Sequence, residues 1–288
     1  MKSNEFTRKL FIVATPIGHL DDFSHRAIKI LSEANLVLCE NMQHSLKLLN
    51  HYGIVPRRLA KLTDHDREQV RQLYLDTCFA GSIALISDAG TPLISDPGCQ
   101  LVKQAWASGF AVLAVPGPSA VIAALSICPF APVPFQFYGF LPRKRGERMR
   151  LLQSLVDCTT TMVFYESPHR LHAMCHDLSM VFGACRQVFV VKELTKRFEA
   201  SWYGELAGVY QQLAQTTLQG EFVVIVAGYE DCASMLEESI TVSVKALVAA
   251  MVKSGMTVQT VQNVLGAVAN VKKNEIYQYF LACKAQEH

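Results

Sequence analysis

The chain has 288 residues, half of them hydrophobic and 18% charged, with a formal net charge of +2. That length suits about two domains, and the apolar content excludes a disordered chain. The nine cysteines are odd in number, dispersed and without a CxxC pair; this argues against a disulfide scaffold and predicts reduced, mostly buried thiols in a cytoplasmic protein.

In chain order, the first residues do not read as an export signal, because the apolar run from Leu10 to Ala14 is short and follows Arg8-Lys9. Lys9–Thr15 reads as a buried strand. A helix starts near Ser24, with Ala27, Ile28 and Leu31 on one face. Leu36–Glu40 is a second strand. Asn41 is placed to cap the next helix and Gly53 to stop it. Asp64 is expected to cap a helix running toward Phe79. Ile83–Ser87 is a strand, followed by a loop rich in Gly, Pro and Asp. A helix ends near Gly109, and Ala111–Val115 is the next strand. This alternation predicts an α/β domain with a mostly parallel sheet over 1–128.

Pro129–Pro134 reads as a linker. Beyond it, strands are predicted at Gln136–Gly139, Thr160–Tyr165, Gln187–Val191 and Phe222–Ala227, with a long polar connection between Glu193 and Gly204. This is a second, mixed α/β domain over 129–230. Glu230–Ser239 reads as a polar linker, and 231–288 as a small C-terminal helical domain. Gln104–Pro142 contains no Asp, Glu, Lys, Arg or His. Its Gly and Pro residues break it too often for a membrane span, so no membrane partner is expected.

Charge is uneven. Residues 141–150 hold five Arg/Lys against one Glu, and 239–288 hold five Lys against two Glu, so the remainder is net acidic. Localised basic segments suit a polyanion, although charge alone favours a solvated loop and an ordinary helical surface.

Three loop motifs fall at strand ends, where α/β sheets bind ligands. They are Thr15–Leu20, Ser87–Pro92 with its continuation through Ser95–Gly98, and Pro116–Ala120. Glycine and proline let backbone approach a ligand, while Asp, Ser and Thr offer fixed hydrogen-bond partners. No GxxxxGK[ST] or GxGxxG occurs, which argues against a nucleoside triphosphate or a dinucleotide. His169, His172 and His176 share one face of a predicted helix, but they span about 10 Å, too far for one zinc. No metal is expected. Cys175 and Cys185 have no argued base and read as buried thiols.

Several segments together carry a family resemblance. They are VATPIGHLDD (13–22), SDAGTPLISDPG (87–98), VPGPSAVIAALS (115–126), GFLPRK (139–144), FYESPHR (164–170), KELTK (192–196) and VKKNEIYQY (271–279). The chain resembles the ribosomal RNA small subunit methyltransferase I family, within the tetrapyrrole-methylase-like, S-adenosylmethionine-dependent enzymes. The resemblance implies two α/β domains with the cofactor in the cleft between them, plus C-terminal helices. It implies a homodimer that methylates the ribose 2′-hydroxyl of a decoding-region cytidine in small-subunit rRNA or the 30S particle. The implied cofactor-binding residues are Pro16, Asp88, Gly90, Thr91, Ser119, Ala120, Ser167 and Leu194. Arg143, Lys144, Arg145 and Arg148 would meet RNA phosphates. Glu40 and Glu166 are the expected catalytic carboxylates, since a ribose hydroxyl is a poor nucleophile that a base assists.

The chain departs from the family pattern at His19, at Asn41-Met42-Gln43 and across Thr63–Arg67. These departures fall on the implied substrate side, and the cofactor loops are intact. They keep open a non-catalytic or altered-specificity RNA-binding relative. Methylation of a tetrapyrrole or other small molecule is a further alternative.

Overall fold

A computed structural model describes residues 8–76, 81–229, 244, 246–268 and 273–285. Close contacts divide the chain into two compact units, Met1–Tyr229 and Glu230–His288.

The first unit begins with β1 (Lys9–Val13), α1 (His25–Glu33), β2 (Leu36–Cys39), α2 (Met42–His51) and β3 (Leu59–Lys61). It continues with α3 (Glu68–Asp76), β4 (Ser82–Ile86), α4 (Cys99–Ala107), β5 (Ala111–Val115) and α5 (Ala120–Ser126). These strands form one parallel sheet in the order β3-β2-β4-β1-β5. A parallel sheet must be covered on both faces, and the side-chain alternation supplies both. Val37, Cys39, Ala84 and Ile86 pack with Ala27, Leu31 and Leu49 on one side. Leu36, Leu38, Ile83 and Leu85 pack with Leu75, Leu101 and Ala105 on the other. Ser24 caps α1 by accepting the Ala27 N–H, and Asn41 caps α2 by accepting the Gln43 and His44 N–H groups.

The second lobe of this unit contains β6 (Phe135–Phe140), α6 (Arg145–Gln153), β7 (Thr161–Glu166), α7 (Pro168–Phe182), β8 (Gln187–Lys192), β9 (Ala200–Glu205), α8 (Leu206–Ala214) and β10 (Phe222–Val226). Its sheet runs β6-β7-β10-β8-β9, with only the β6–β7 pair parallel. Met162, Phe164, Val188, Val190 and Val224 bury one face under α7 and α8. Val163, Phe189, Val191, Val223 and Ile225 bury the other against α5 and Ile17 of the first lobe. The two lobes therefore share a core, and the strand ends of both sheets open near the same place.

Two expectations are corrected. The polar connection between Glu193 and Gly204 contains β9, an edge strand whose residues alternate between half-buried and exposed. Half an apolar face gives a weak sequence signal. Asp64 does not cap α3; its Oδ1 accepts the Gly98 N–H at 3.1 Å, tying two loops of the first lobe together. The short strand β3 carries no strand signal of its own and is held by its register with β2. Phe79, the expected end of that helix, and the Glu230–Ser239 linker lie outside the described residues.

In the second unit, 246–253 is helical, followed by helices Val258–Val268 and Lys273–Ala285. They enclose a core of Val248, Val261, Leu265, Ile276 and Phe280. Among the described residues no helix is long and apolar enough to cross a membrane.

Candidate functional site

The three loops after β1, β4 and β5 are stitched to one another. Thr15 and Gly90 exchange backbone hydrogen bonds of 2.8 and 3.1 Å. The Thr91 hydroxyl donates to Pro118 O at 3.0 Å. Gly90 needs its glycine: φ is +78°, and a Cβ there would lie 3.3 Å from Ile17. The loop after β8 closes the far side. His19 N–H donates to the Thr195 hydroxyl at 3.0 Å. A Cβ at Gly18 would stand 2.9 Å from the Leu194 carbonyl, so only glycine permits this approach. Leu93, Ser95, Glu193 and Thr195 all have positive φ, between 53° and 76°. Such conformations cost about 1–3 kcal/mol each and gather at functional sites. Here they sit in the two loops that face each other.

Between these loops lies a cavity of about 410 Å³. Its walls come from Ile17, Val191, Leu194 and Val223, and its polar groups from Asp88, Asp96, Ser119 and Ser167. Among the described residues, Oδ1 of Asp88 is buried and has no hydrogen-bond partner. On the second-lobe side, Lys196 Nζ donates to Glu193 and Glu221, both at 2.9 Å. Burial pushes the Asp96 carboxyl up to about 6, with the charges of Glu40 and Asp88 adding and a Ser87 hydrogen bond opposing.

A second, more open and polar cavity of about 550 Å³ adjoins the first. Glu40, Asn41, Gln43, Lys61, Asp64 and His65 line it, and Asp88 lines both cavities. The Glu40 carboxyl is raised, first by burial and then by repulsion from Asp88 and Asp64.

The chain matches the family of tetrapyrrole (corrin/porphyrin) methylases over residues 9–210. A Pseudomonas aeruginosa protein named ribosomal RNA small subunit methyltransferase I is 41% identical over 276 residues, covering 94% of this chain and 96% of that protein. Proteins of the same name from Pasteurella multocida and Synechocystis are 37% and 38% identical, each covering 96% of this chain and 98% of the relative. The chain belongs to the ribosomal RNA small subunit methyltransferase I family. In fold, this family member is similar to a cobalt precorrin-4 methyltransferase, with a TM-score of 0.58 and 15% identity over 79% of this chain and 97% of that one. It is also similar to a Thermus thermophilus uroporphyrin-III C-methyl transferase complexed with S-adenyl homocysteine, with a TM-score of 0.54 and 16% identity over 76% and 97% of the two chains.

In this member of the methyltransferase I family, Asp88, Gly90, Thr91, Ser119, Ala120, Ser167 and Leu194 surround the closed cavity. Pro16 does not line it. Pro16 is buried, and its neighbour Ile17 lines the wall. The two expected catalytic carboxylates are not brought together: Glu40 lines the open cavity and Glu166 the closed one. Glu166 is buried, accepts the Ser167 N–H at 2.8 Å and lies 3.2 Å from the Arg170 guanidinium. Of the four basic residues, Arg143, Lys144 and Arg145 are exposed. Arg148 is not available to RNA. It is 7% exposed and clamps the buried Asp177 through two bonds of 2.7 and 2.8 Å.

Among the divergent positions, Asn41, Met42, Gln43, Thr63, Asp64 and His65 line the open cavity, while Asp66 turns inward to bond the Thr63 N–H and hydroxyl. Ile17 and Lys196 lie within the Thr15–Leu20 and KELTK segments, although the sequence gives neither a role of its own; Glu221 falls outside every motif, and only Gly220, a turn residue before a strand, marks it. Among the described residues no three His, Cys, Asp or Glu are grouped to hold a metal. The thiols are less buried than expected. Cys39 and Cys175 are buried, but Cys99 and Cys185 are exposed. Cys78 and Cys232 lie outside the described residues.

Proposed function

We propose that the chain transfers a methyl group from S-adenosylmethionine to the ribose 2′-hydroxyl of a decoding-region cytidine in small-subunit rRNA, free or within the 30S particle. Residues 1–128 and 129–230 are the two lobes around the cofactor, 231–288 is the C-terminal helical domain, and the working unit is a cytoplasmic homodimer. The relatives' names support the rRNA substrate. The observation that carries the reading is Asp88, a carboxylate shared by a closed, mostly apolar cavity and an open, polar one.

The closed cavity fits the cofactor. Its volume of about 410 Å³ falls within the roughly 300–1,000 Å³ of small-molecule sites. The unpartnered Asp88 Oδ1 calls for a donor on the ligand, since buried acceptors are rarely left unsatisfied. Asp88, Gly90, Thr91, Ser119 and Ala120 would hold the cofactor from one lobe, and Ser167 and Leu194 from the other. When bound, S-adenosylmethionine supplies a methyl carbon made electrophilic by its sulfonium. The protein's task is to align the ribose oxygen with that carbon, and positioning supplies much of the acceleration. Glu40, on the open side with its raised carboxyl, is suited to take the hydroxyl proton as the new O–C bond forms. Glu166 fixes the Ser167 backbone and so acts as a positioning residue. Arg143, Lys144 and Arg145 would engage RNA phosphates.

Small subunits from a strain lacking this protein, incubated with it and labelled S-adenosylmethionine, test the reading. Nuclease digestion and mass spectrometry should find 2′-O-methylcytidine. A methyl group on a base, or no labelled rRNA despite bound cofactor, would overturn it.

A further inference from the structure

The strand that leads into the basic segment is bent at its end. Pairing of β6 with β7 slips between Phe137 and Phe140, and Gly139, within the slip, has φ +63°. A Cβ at Gly139 would lie 3.0 Å from the Ser95 hydroxyl, so glycine lets β6 press against the loop after β4. Irregularities of this kind re-aim a side chain. Here the side chain is Phe140, which lines the closed cavity yet stays 54% exposed. Its ring meets Tyr165 edge-on, with centroids 5.7 Å apart at 61°. The exposed Arg143 and Lys144 follow within four residues. A solvent-facing aromatic ring on a cavity wall, followed closely in the chain by exposed cations, is the combination that single-stranded nucleic acid uses, with bases on the ring and phosphates on the cations.

We propose that Phe140 is a stacking platform for an unstacked nucleobase of the RNA substrate, with Arg143 and Lys144 holding the flanking phosphates. The inference rests on the rRNA reading above. An aromatic face at the rim of the cavity gives an unpaired base a surface to stack on, and so helps to fix the ribose attached to it. Because a π-face accepts every base, Phe140 would contribute affinity and orientation more than sequence choice.

Phe140→Leu keeps an apolar side chain of similar bulk on a half-exposed site, and Phe140→Trp keeps an aromatic face. Binding of unmethylated small subunits and calorimetric binding of S-adenosylhomocysteine are measured for the wild type and both variants. Phe140→Leu should weaken subunit binding by roughly tenfold or more, Phe140→Trp should restore it, and S-adenosylhomocysteine affinity should hold within about twofold throughout. Subunit binding unchanged in Phe140→Leu overturns the proposal. So does a loss of S-adenosylhomocysteine affinity in that variant, which would assign the ring to the cofactor. If the wild type binds subunits but methylates another atom, the ribose reading fails and the Phe140 comparison still decides this one. A wild type that binds no subunits overturns both.

Discussion

Asp88 and Asp96 stand on one loop and do different electrostatic work. Asp88, which lines both cavities, has a buried oxygen without a partner among the described residues. Asp88→Ala should weaken S-adenosylhomocysteine binding by about 1–3 kcal/mol, the range for removing one partner of a buried hydrogen bond. Calorimetric titration reads this directly, and unchanged affinity removes Asp88 from the site. Asp96 is raised from 3.8 to about 6, chiefly by burial. Between those values the folded state keeps a proton that the unfolded chain has lost. Its contribution to stability is therefore full below about pH 4 and lost as pH rises through about 6. Asp96→Asn removes this dependence. The unfolding midpoint of the wild type should drop relative to the variant between about pH 4 and 6, and the two curves should run parallel above about pH 7. Curves parallel over the whole range would show that Asp96 is ordinary in the folded state.

At the scale of elements, the segment that enters α6 is held from behind rather than left as a solvated loop. Arg148 donates to the Pro142 and Arg143 carbonyls at 3.3 Å and to Asp177 on α7, while Arg170 donates to the Leu141 carbonyl at 2.6 Å. Burial alone would raise the Asp177 carboxyl, but the hydrogen bonds from Arg148 and Arg145 outweigh it and hold the group below the usual carboxylate value. Breaking one side of such a buried pair leaves an uncompensated charge, at about 3–5 kcal/mol. Arg148→Met should lower the unfolding free energy by that amount in urea titration. The double variant Arg148→Met/Asp177→Leu should recover most of the loss, because an apolar pair replaces a buried ionic one at little net cost. A single variant within about 1 kcal/mol of the wild type would show that this pair does not hold the segment.

For the molecule as a whole, Arg143, Lys144 and Arg145 are the exposed cations of the basic segment, with Arg145 shared with Asp177 at 3.1 Å. Replacing all three with Gln should weaken RNA binding and flatten its salt dependence. The slope should fall by about 0.7–0.9 for each phosphate that is no longer neutralised, and S-adenosylhomocysteine affinity should stay as it was. An unchanged salt slope would mean that RNA passes elsewhere.

The sequence by itself determined most of the alternation of strands and helices, the helix start near Ser24, the cap at Asn41, and the three loops at strand ends. Those features are written locally: side-chain period, turn chemistry and capping depend on residues a few positions apart. Only the tertiary structure decided that Arg148 faces Asp177 across 29 residues of chain, that Glu40 and Glu166 serve different cavities, and that β9 completes the second sheet. It also decided that Lys196 and Glu221 close the site and that Phe140 turns toward it. Arg148 shows why. In the string it is one of five cations in ten residues, indistinguishable from Arg143. Its role is set by a buried carboxylate on another helix, and burial and charge pairing are properties of the packed molecule that no local pattern encodes.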